Sequence, residues 1–309
     1  MKKLTAREVP VPLTVPPSKR DLYCQRYIEV TRATGRLFLF AADQKIEHLN
    51  KSFYGNGIPK ECGHPEHLFT IASQSPIGVF ATQLGMIARY GSAHLSIPYL
   101  VKLNSKTNLA PQSYVDPLSR SLQTVDQVVQ FAELNKANIV GVGYTIYLGS
   151  KYESLMLQEA AQIVYQAHMH GLLVVLWMYP RGQSVKQERH ADVIAGAAGV
   201  ATALGADFAK VIPPDAPTSK ESAELLQQAS RAGGSTQLIC SGGTLISQKD
   251  FLQQLHDQIH IGGASGAAVG RNVHQRTLVD AKAFCNAIAA IIYQDVDVSV
   301  AMNLMKKGS

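Results

Sequence analysis

No stretch of these 309 residues is long and apolar enough to span a bilayer, and the 29 lysines and arginines form no basic block. The first absence argues against a membrane partner. The second argues against a nucleic-acid reader, which would concentrate its positive charge. The net charge of +6 is left as a mild, spread field that favours small anionic substrates. Cysteine is scarce as well. Cys24, Cys62, Cys240 and Cys285 stand far apart with no CxxC pair, which speaks against a disulfide framework and fits free thiols in a reducing cytoplasm. No apolar h-region follows Met1-Lys2-Lys3, so no signal peptide is expected. Gly141-Val142-Gly143-Tyr144 lacks the third glycine of a dinucleotide loop and reads as a strand, and no cofactor is expected. What is present is 46% hydrophobic residues against 17% charged, enough for a sizeable core.

The apolar residues fall in a repeating pattern. Residues 1–20 hold four prolines and little periodicity, which reads as an extended arm packed on a neighbour or on the floor of the fold, and a helix is expected over 21–34. Continuous apolar runs, the signature of buried parallel strands, occur at 37–43, 77–81, 99–103, 139–145, 172–179, 207–212, 237–241 and 266–269. Helical patterns fill 83–90, 124–135, 152–169, 188–204, 219–231, 247–257 and 277–292. Eight strand–helix units in a chain of this length predict an α/β fold, a (β/α)8 TIM barrel over 35–309, with 1–34 as arm and helix. A doubly wound open sheet is the alternative.

Barrel chemistry sits at the C-terminal ends of the strands, and polar residues fall there. Lys210 lies in the middle of an apolar strand. A desolvated amine loses its proton easily and then attacks carbonyls, so Lys210 is the candidate Schiff-base nucleophile; the plain alternative is a lysine snorkelling from a strand end. Asp43 closes the first strand, where it could orient a neighbour or simply cap a helix. Trp177 and Tyr179 share a face of the fifth strand, the phenol able to shuttle a proton and the indole to wall a pocket. Lys102 is a second interior amine, expected on the substrate side. It would either lower the pKa of Lys210 as a like charge or pair with Asp43 or Asp207. Ser241-Gly242-Gly243 and Gly270-Arg271 end the last two strands, where glycine N–H groups and one guanidinium would grip a phosphate. Cys62, His64 and His67 lie within six residues, but no fourth ligand is evident. Clustering in a surface loop is expected there, and no metal.

Together Phe40-Ala41-Ala42-Asp43-Gln44-Lys45-Ile46-Glu47-His48, Trp177-Met178-Tyr179-Pro180-Arg181-Gly182, Ala206-Asp207-Phe208-Ala209-Lys210-Val211, Ser241-Gly242-Gly243 and Gly270-Arg271-Asn272 resemble the archaeal-type class I fructose-bisphosphate aldolases of the deoxyribose-phosphate aldolase-like superfamily. The likeness runs over about residues 35–290. It implies a metal-independent barrel enzyme in which Lys210 matches the Schiff-base lysine, Tyr179 the acid/base tyrosine, Trp177 the pocket tryptophan and Asp43 the first-strand aspartate. Ser241, Gly242, Gly243, Gly270 and Arg271 match the phosphate grip. The implied reaction cleaves or forms a phosphorylated ketose, fructose 1,6-bisphosphate first. The alternatives are another Schiff-base lyase or a transferase on a sugar phosphate (transaldolase-like or acyl transfer), or a non-catalytic sugar-phosphate-binding barrel. A homo-oligomer in the cytoplasm is also implied. Gln44-Lys45 stands where the family often has His-Gly.

Overall fold

The computed structural model describes residues 3–109 and 116–307. Met1 and Lys2 of the expected arm lie outside the described residues. The strands are β1 (Leu37–Ala41), β2 (Val79–Thr82), β3 (Tyr99–Lys102), β4 (Ile139–Leu148), β5 (Leu173–Pro180), β6 (Phe208–Val211), β7 (Gln237–Ser241) and β8 (Gly266–Val269). The helices are α1 (Arg20–Thr31), α2 (Gln44–Glu47), α3 (Pro65–Gln74), α4 (Leu84–Tyr90), α5 (Val125–Asn135), α6 (Glu153–Met169), α7 (Ala191–Ala203), α8 (Ser219–Gly233), α9 (Gln248–His260), α10 (Arg271–His274), α11 (Leu278–Gln294) and α12 (Val298–Lys307). All eight strands run parallel, each beside its sequence neighbours, and β1 pairs with β8 to close the barrel. The open sheet is therefore excluded. Among the described residues no helix is long and apolar enough to cross a membrane.

Strand alternation sorts the side chains into two cores. Leu37, Leu39, Val79, Leu100, Val175, Trp177, Phe208, Ile239 and Ala268 fill the barrel. Phe38, Phe40, Phe80, Val101, Leu176, Ala209 and Cys240 point outward against the helices. Closure depends on Gly266, which holds φ +124° directly against Leu37 of the first strand, where a Cβ would collide with the Leu37 backbone. Helices start where the sequence supplies caps. Thr124 with Gln127 and Thr218 with Glu221 form capping boxes, and Ser247 and Thr277 cap α9 and α11.

The floor of the barrel is closed by the arm. Tyr23, Tyr27 and Val30 of α1 join the interior core, with the Tyr27 ring stacked 5.8 Å from that of Phe208. Asp207 anchors this floor. Its Oδ1 accepts from Tyr23 Oη at 2.5 Å, and its Oδ2 accepts from Val174 N at 2.7 Å and lies 3.2 Å from His168 Nε2. His168 Nδ1 meets Thr14 Oγ1 at 2.6 Å. The arm thus packs on its own barrel, and Asp207 is not a partner for Lys102.

Two segments differ from the sequence expectation. The Cys62–His67 stretch is not a surface loop: Cys62 and His67 are buried, and His64 accepts from Glu66 N as the cap of α3. Proline at the first helical position and a histidine cap start that helix, and the ligand-rich composition masks it. β4 runs on to Leu148, so Tyr147 pairs in register with Tyr179 of β5. All four cysteines are free and buried.

Candidate active site

At the C-terminal mouth of the strands lies a cavity of about 400 Å³. Asp43, Trp177, Tyr179, Lys210, Ser241, Gly242, Gly243, Gly270 and Arg271 all line it. Most arrive by one rule: the inward positions of the strands lead into the mouth. Lys210 follows Phe208 on the inner face of β6. Trp177 and Tyr179 follow Val175 on β5. Asp43 follows Leu39 and Ala41 of β1 and stands at the cap position of α2, yet its side chain makes no capping hydrogen bond.

The Lys210 amine is buried and has no hydrogen-bond partner among the described residues. It lies 5.1 Å from the Trp177 ring centroid. Burial pushes its pKa below the ordinary lysine value. The negative charges of Asp43 and Glu47 pull it back, and Arg271 lowers it further. Tyr179 moves the other way: burial holds its hydroxyl well above the ordinary phenol range, reinforced by Glu47 and Asp43. Among the described residues neither Asp43 nor Glu47 forms an ion pair. The mouth therefore holds two unpaired carboxylates, a neutral phenol and an easily deprotonated amine.

Lys102 differs from its expectation. It is buried behind the cavity and is not one of the residues lining it. Its amine donates to Asn104 O at 2.7 Å and Asn104 Oδ1 at 2.9 Å, not to a carboxylate. Its pKa is pushed down to about 8, chiefly by burial and also by Lys210. It too stands 5.1 Å from the Trp177 ring, so the indole serves both amines. Room for that indole comes from Gly143, where a Cβ would collide with it.

The two glycine loops meet as the sequence suggested, with one change of part. The Gly242 N–H is already committed to Ala268 O at 2.9 Å. Gly243, in the left-handed region at φ +64°, leaves its own N–H without a partner among the described residues. Arg271 opens the short helix α10 and donates to Gly243 O at 3.0 Å, which fixes the guanidinium beside the loop. Asn272, fully buried, donates to Gly242 O and Thr244 O, both at 2.9 Å, and accepts from Ile246 N at 3.2 Å. Loops after the seventh and eighth strands plus a short extra helix are the usual phosphate cradle of such barrels.

Sequence reasoning gave no site role to Tyr147 or Arg189, and named Glu47 only as a stand-in proton carrier should Tyr179 not serve. Glu47 and Arg189 line the cavity. Tyr147 donates to Glu47 Oε1 at 3.5 Å, and its ring centroid lies 6.5 Å from that of Tyr179. The continued alternation Gly143, Thr145, Tyr147 was the available signal. Arg181 and Arg189 at the rim are held by Glu188 at 3.4 Å and Asp215 at 2.6 Å. Lys45 is not in the cavity: its amine sits 4.1 Å from the Phe53 ring centroid. Among the described residues no cluster of three or more His, Cys, Asp and Glu could hold a metal ion.

Comparison with known proteins fits this geometry. A fructose-bisphosphate aldolase/6-deoxy-5-ketofructose 1-phosphate synthase of Methanocaldococcus jannaschii is 49% identical over 304 residues, covering 98% of this chain and 96% of the relative. A class 1 fructose-bisphosphate aldolase of Halobacterium salinarum is 34% identical, over 87% of this chain and 94% of the relative. The solved fructose-bisphosphate aldolase of Slackia heliotrinireducens superposes with a TM-score of 0.96 at 51% identity, covering 100% of this chain and 97% of that one. An archaeal fructose-1,6-bisphosphate aldolase, solved with its catalytic lysine covalently bound to the carbinolamine intermediate of the substrate, superposes at 0.74 with 31% identity, over 87% of this chain and 98% of that one. The DeoC/LacD family aldolase model matches residues 37–276, and on that match the chain belongs to the DeoC/LacD aldolase family.

Proposed function

We propose that this chain cleaves, and in reverse forms, fructose 1,6-bisphosphate through a Schiff base on Lys210. The observation that carries the reading is the buried, unpartnered Lys210 amine on the cavity wall, facing a site with its own phosphate cradle. The neutral amine attacks the C2 ketone, and loss of water leaves an iminium. Tyr179, set by Asp43, takes the C4 hydroxyl proton while the C3–C4 bonding pair moves to the iminium nitrogen. Glyceraldehyde 3-phosphate departs. The enamine is protonated at C3, and water then releases glycerone phosphate. Gly243, Gly270, Ser241 and Arg271 hold the phosphate, and Trp177 walls the reacting carbons. The 31%-identical relative solved as a lysine carbinolamine supports the covalent route. The family resemblance supports a homo-oligomer, and the four buried free thiols are in keeping with a cytoplasmic setting. Borohydride added with fructose 1,6-bisphosphate should leave a reduced adduct that peptide mass mapping places on Lys210. An adduct on Lys102, or none, would refute the assignment.

A second reading is favoured by the 49%-identical relative, whose name includes 6-deoxy-5-ketofructose 1-phosphate synthase. Divided at C3–C4, that product is glycerone phosphate plus a 2-oxo aldehyde without phosphate. The same enamine would then be passed to a different acceptor. Incubation with fructose 1,6-bisphosphate and 2-oxopropanal, followed by mass analysis of the sugar phosphates, distinguishes transfer from simple cleavage.

A further inference from the structure

The arginines that line the cavity are committed in two different ways. Arg271 meets the Gly243 carbonyl and, among the described residues, no carboxylate. Arg181 and Arg189 are each paired with one. We propose that Glu188 and Asp215, by pairing Arg181 and Arg189, set the acceptor end of the site for short aldehydes without a phosphate, the 2-oxo aldehydes among them. The proposal rests on the Schiff-base aldolase reading and says which acceptor the enamine takes.

Three observations carry it. The first is position. Lys210 stands on β6, with the phosphate cradle after β7 and β8 on one side of it and Arg181, after β5, on the other. The Arg181 guanidinium lies 5.8 Å from the Tyr179 ring centroid. Tyr179 is read as the group at the C4 hydroxyl, so the carbons beyond C4 lie on the Arg181 side. The second is commitment. Arg181 Nε is 3.4 Å from Glu188 Oε2. Arg189 donates from Nε to Pro213 O at 3.0 Å, its Nη1 is 2.6 Å from Asp215 Oδ1, and Asp215 N donates to Arg189 O at 3.1 Å. Asp215 is carried by the nucleophile's own strand, Lys210-Val211-Ile212-Pro213-Pro214-Asp215, whose two prolines restrict the backbone before it. The third is charge. Glu47 lines the same cavity without an ion pair among the described residues, and of the charges acting on Tyr179 its own is the largest. Two guanidinium charges are thus met by three carboxylates. A second phosphate would find its attraction to the arginines offset, whereas the cradle end keeps a guanidinium free of any described carboxylate. The N–H groups that the two arginines retain suit a neutral acceptor, such as the second carbonyl of a 2-oxo aldehyde.

The step balances. The enamine C3 attacks the aldehyde carbon and one C–C bond forms. The carbonyl π pair moves to the oxygen, which takes up the proton removed from C3 when the enamine was made. The iminium left on Lys210 is hydrolysed, and the ketose 1-phosphate departs.

The test uses the intact chain, with glycerone phosphate as donor and either glyceraldehyde 3-phosphate or 2-oxopropanal as acceptor. The wild type should show the lower KM for 2-oxopropanal. E188Q and D215N each keep the side-chain shape and remove one charge. Each should lower the KM for glyceraldehyde 3-phosphate by about threefold, and the double variant by about tenfold, the scale of solvent-exposed charge contacts. The KM for 2-oxopropanal should move by no more than about twofold, and the gain with the phosphorylated acceptor should shrink in high salt. A merely structural role would shift both acceptors alike and would not respond to salt. A lower wild-type KM for the phosphorylated aldehyde overturns the proposal, as does an unchanged KM for it in the double variant. Should one variant fail to fold by circular dichroism, the other single variant decides by the same threefold criterion. If borohydride and glycerone phosphate leave no adduct on Lys210 of the wild type, the aldolase reading fails and this inference with it; with the adduct present, the kinetic outcomes judge this inference alone.

Discussion

The two ends of the barrel handle buried polar groups in opposite ways. At the floor, Asp207 is met by a phenol, a backbone N–H and a histidine, and that histidine is met in turn by Thr14. At the mouth, three residues further along the same chain, Lys210 is as buried but meets no partner. An unpaired buried charge costs several times what a paired one does. The floor therefore uses its polar groups to fasten the arm, while the mouth keeps its groups unsatisfied and chemically available. Reactive groups and stabilising groups are separated by the length of a strand.

The largest effect should come from Lys210→Met. Cleavage should fall by roughly 10⁴–10⁶-fold, the scale of losing a covalent nucleophile. The melting temperature should stay level or rise, since a penalised amine is removed. The sign follows from the lowered pKa of Lys210: protonated, it opposes folding, so the gain is greatest below that lowered pKa and fades as pH rises to the ordinary lysine value. A large drop in melting temperature would mean the mouth is built like the floor. Asp207→Ala reverses the pattern. It strands Tyr23, His168 and Val174 N and should cost about 3 kcal/mol, or roughly 5–10 °C in a thermal melt. The kcat of the folded fraction should be close to wild type; a selective loss of kcat would tie the floor to the chemistry.

Arg271→Ala should raise KM for phosphorylated substrates by about 10–100-fold, equivalent to one charge-assisted contact of about 1.5–3 kcal/mol. Unchanged kinetics would leave the cradle to the loop N–H groups alone. The smallest effect concerns Lys102, which has its partner in Asn104 and so stands between the two patterns. With its pKa lowered from 10.5 to about 8, its protonation opposes folding below about pH 8 and ceases to matter above 10.5. Denaturant titrations should show the wild type gaining on Lys102→Met between those pH values. A flat difference across that window would show that Asn104 compensates the buried charge fully.

Much of this arrangement is written in the chain. The apolar runs mark the strands because a parallel barrel buries both faces, and the residues ending those runs supply the cavity. The eighth strand was readable from its apolar run, but the part Gly266 plays in closing the barrel was not, because it depends on the approach of Leu37 from the first strand. Tyr147 was not, because β4 continues through residues whose apolar character does not distinguish a strand from the loop after it. The role of Asp207 was hidden for a related reason. On paper it is three residues from Lys210, and only the direction of the strand puts it at the other end of the barrel. Pro65–Gln74 was obscured by composition, since histidine, cysteine and proline suggest ligands and turns before they suggest the first turn of a helix. In the glycine loops after β7 and β8, glycine content was visible but the commitment of the Gly242 N–H to Ala268 depends on the register of β7 with β8.

Asn272 bears on how such a cradle can be moved between proteins. Its single amide braces the Gly242–Ile246 turn from the neighbouring strand–helix unit. The shape of that turn is thus a property of two adjacent units together. A designer who transplants the Ser241–Thr244 segment alone into another barrel would carry over the letters without the brace, whereas the β7 and β8 units taken as one cassette would bring the mould with the casting.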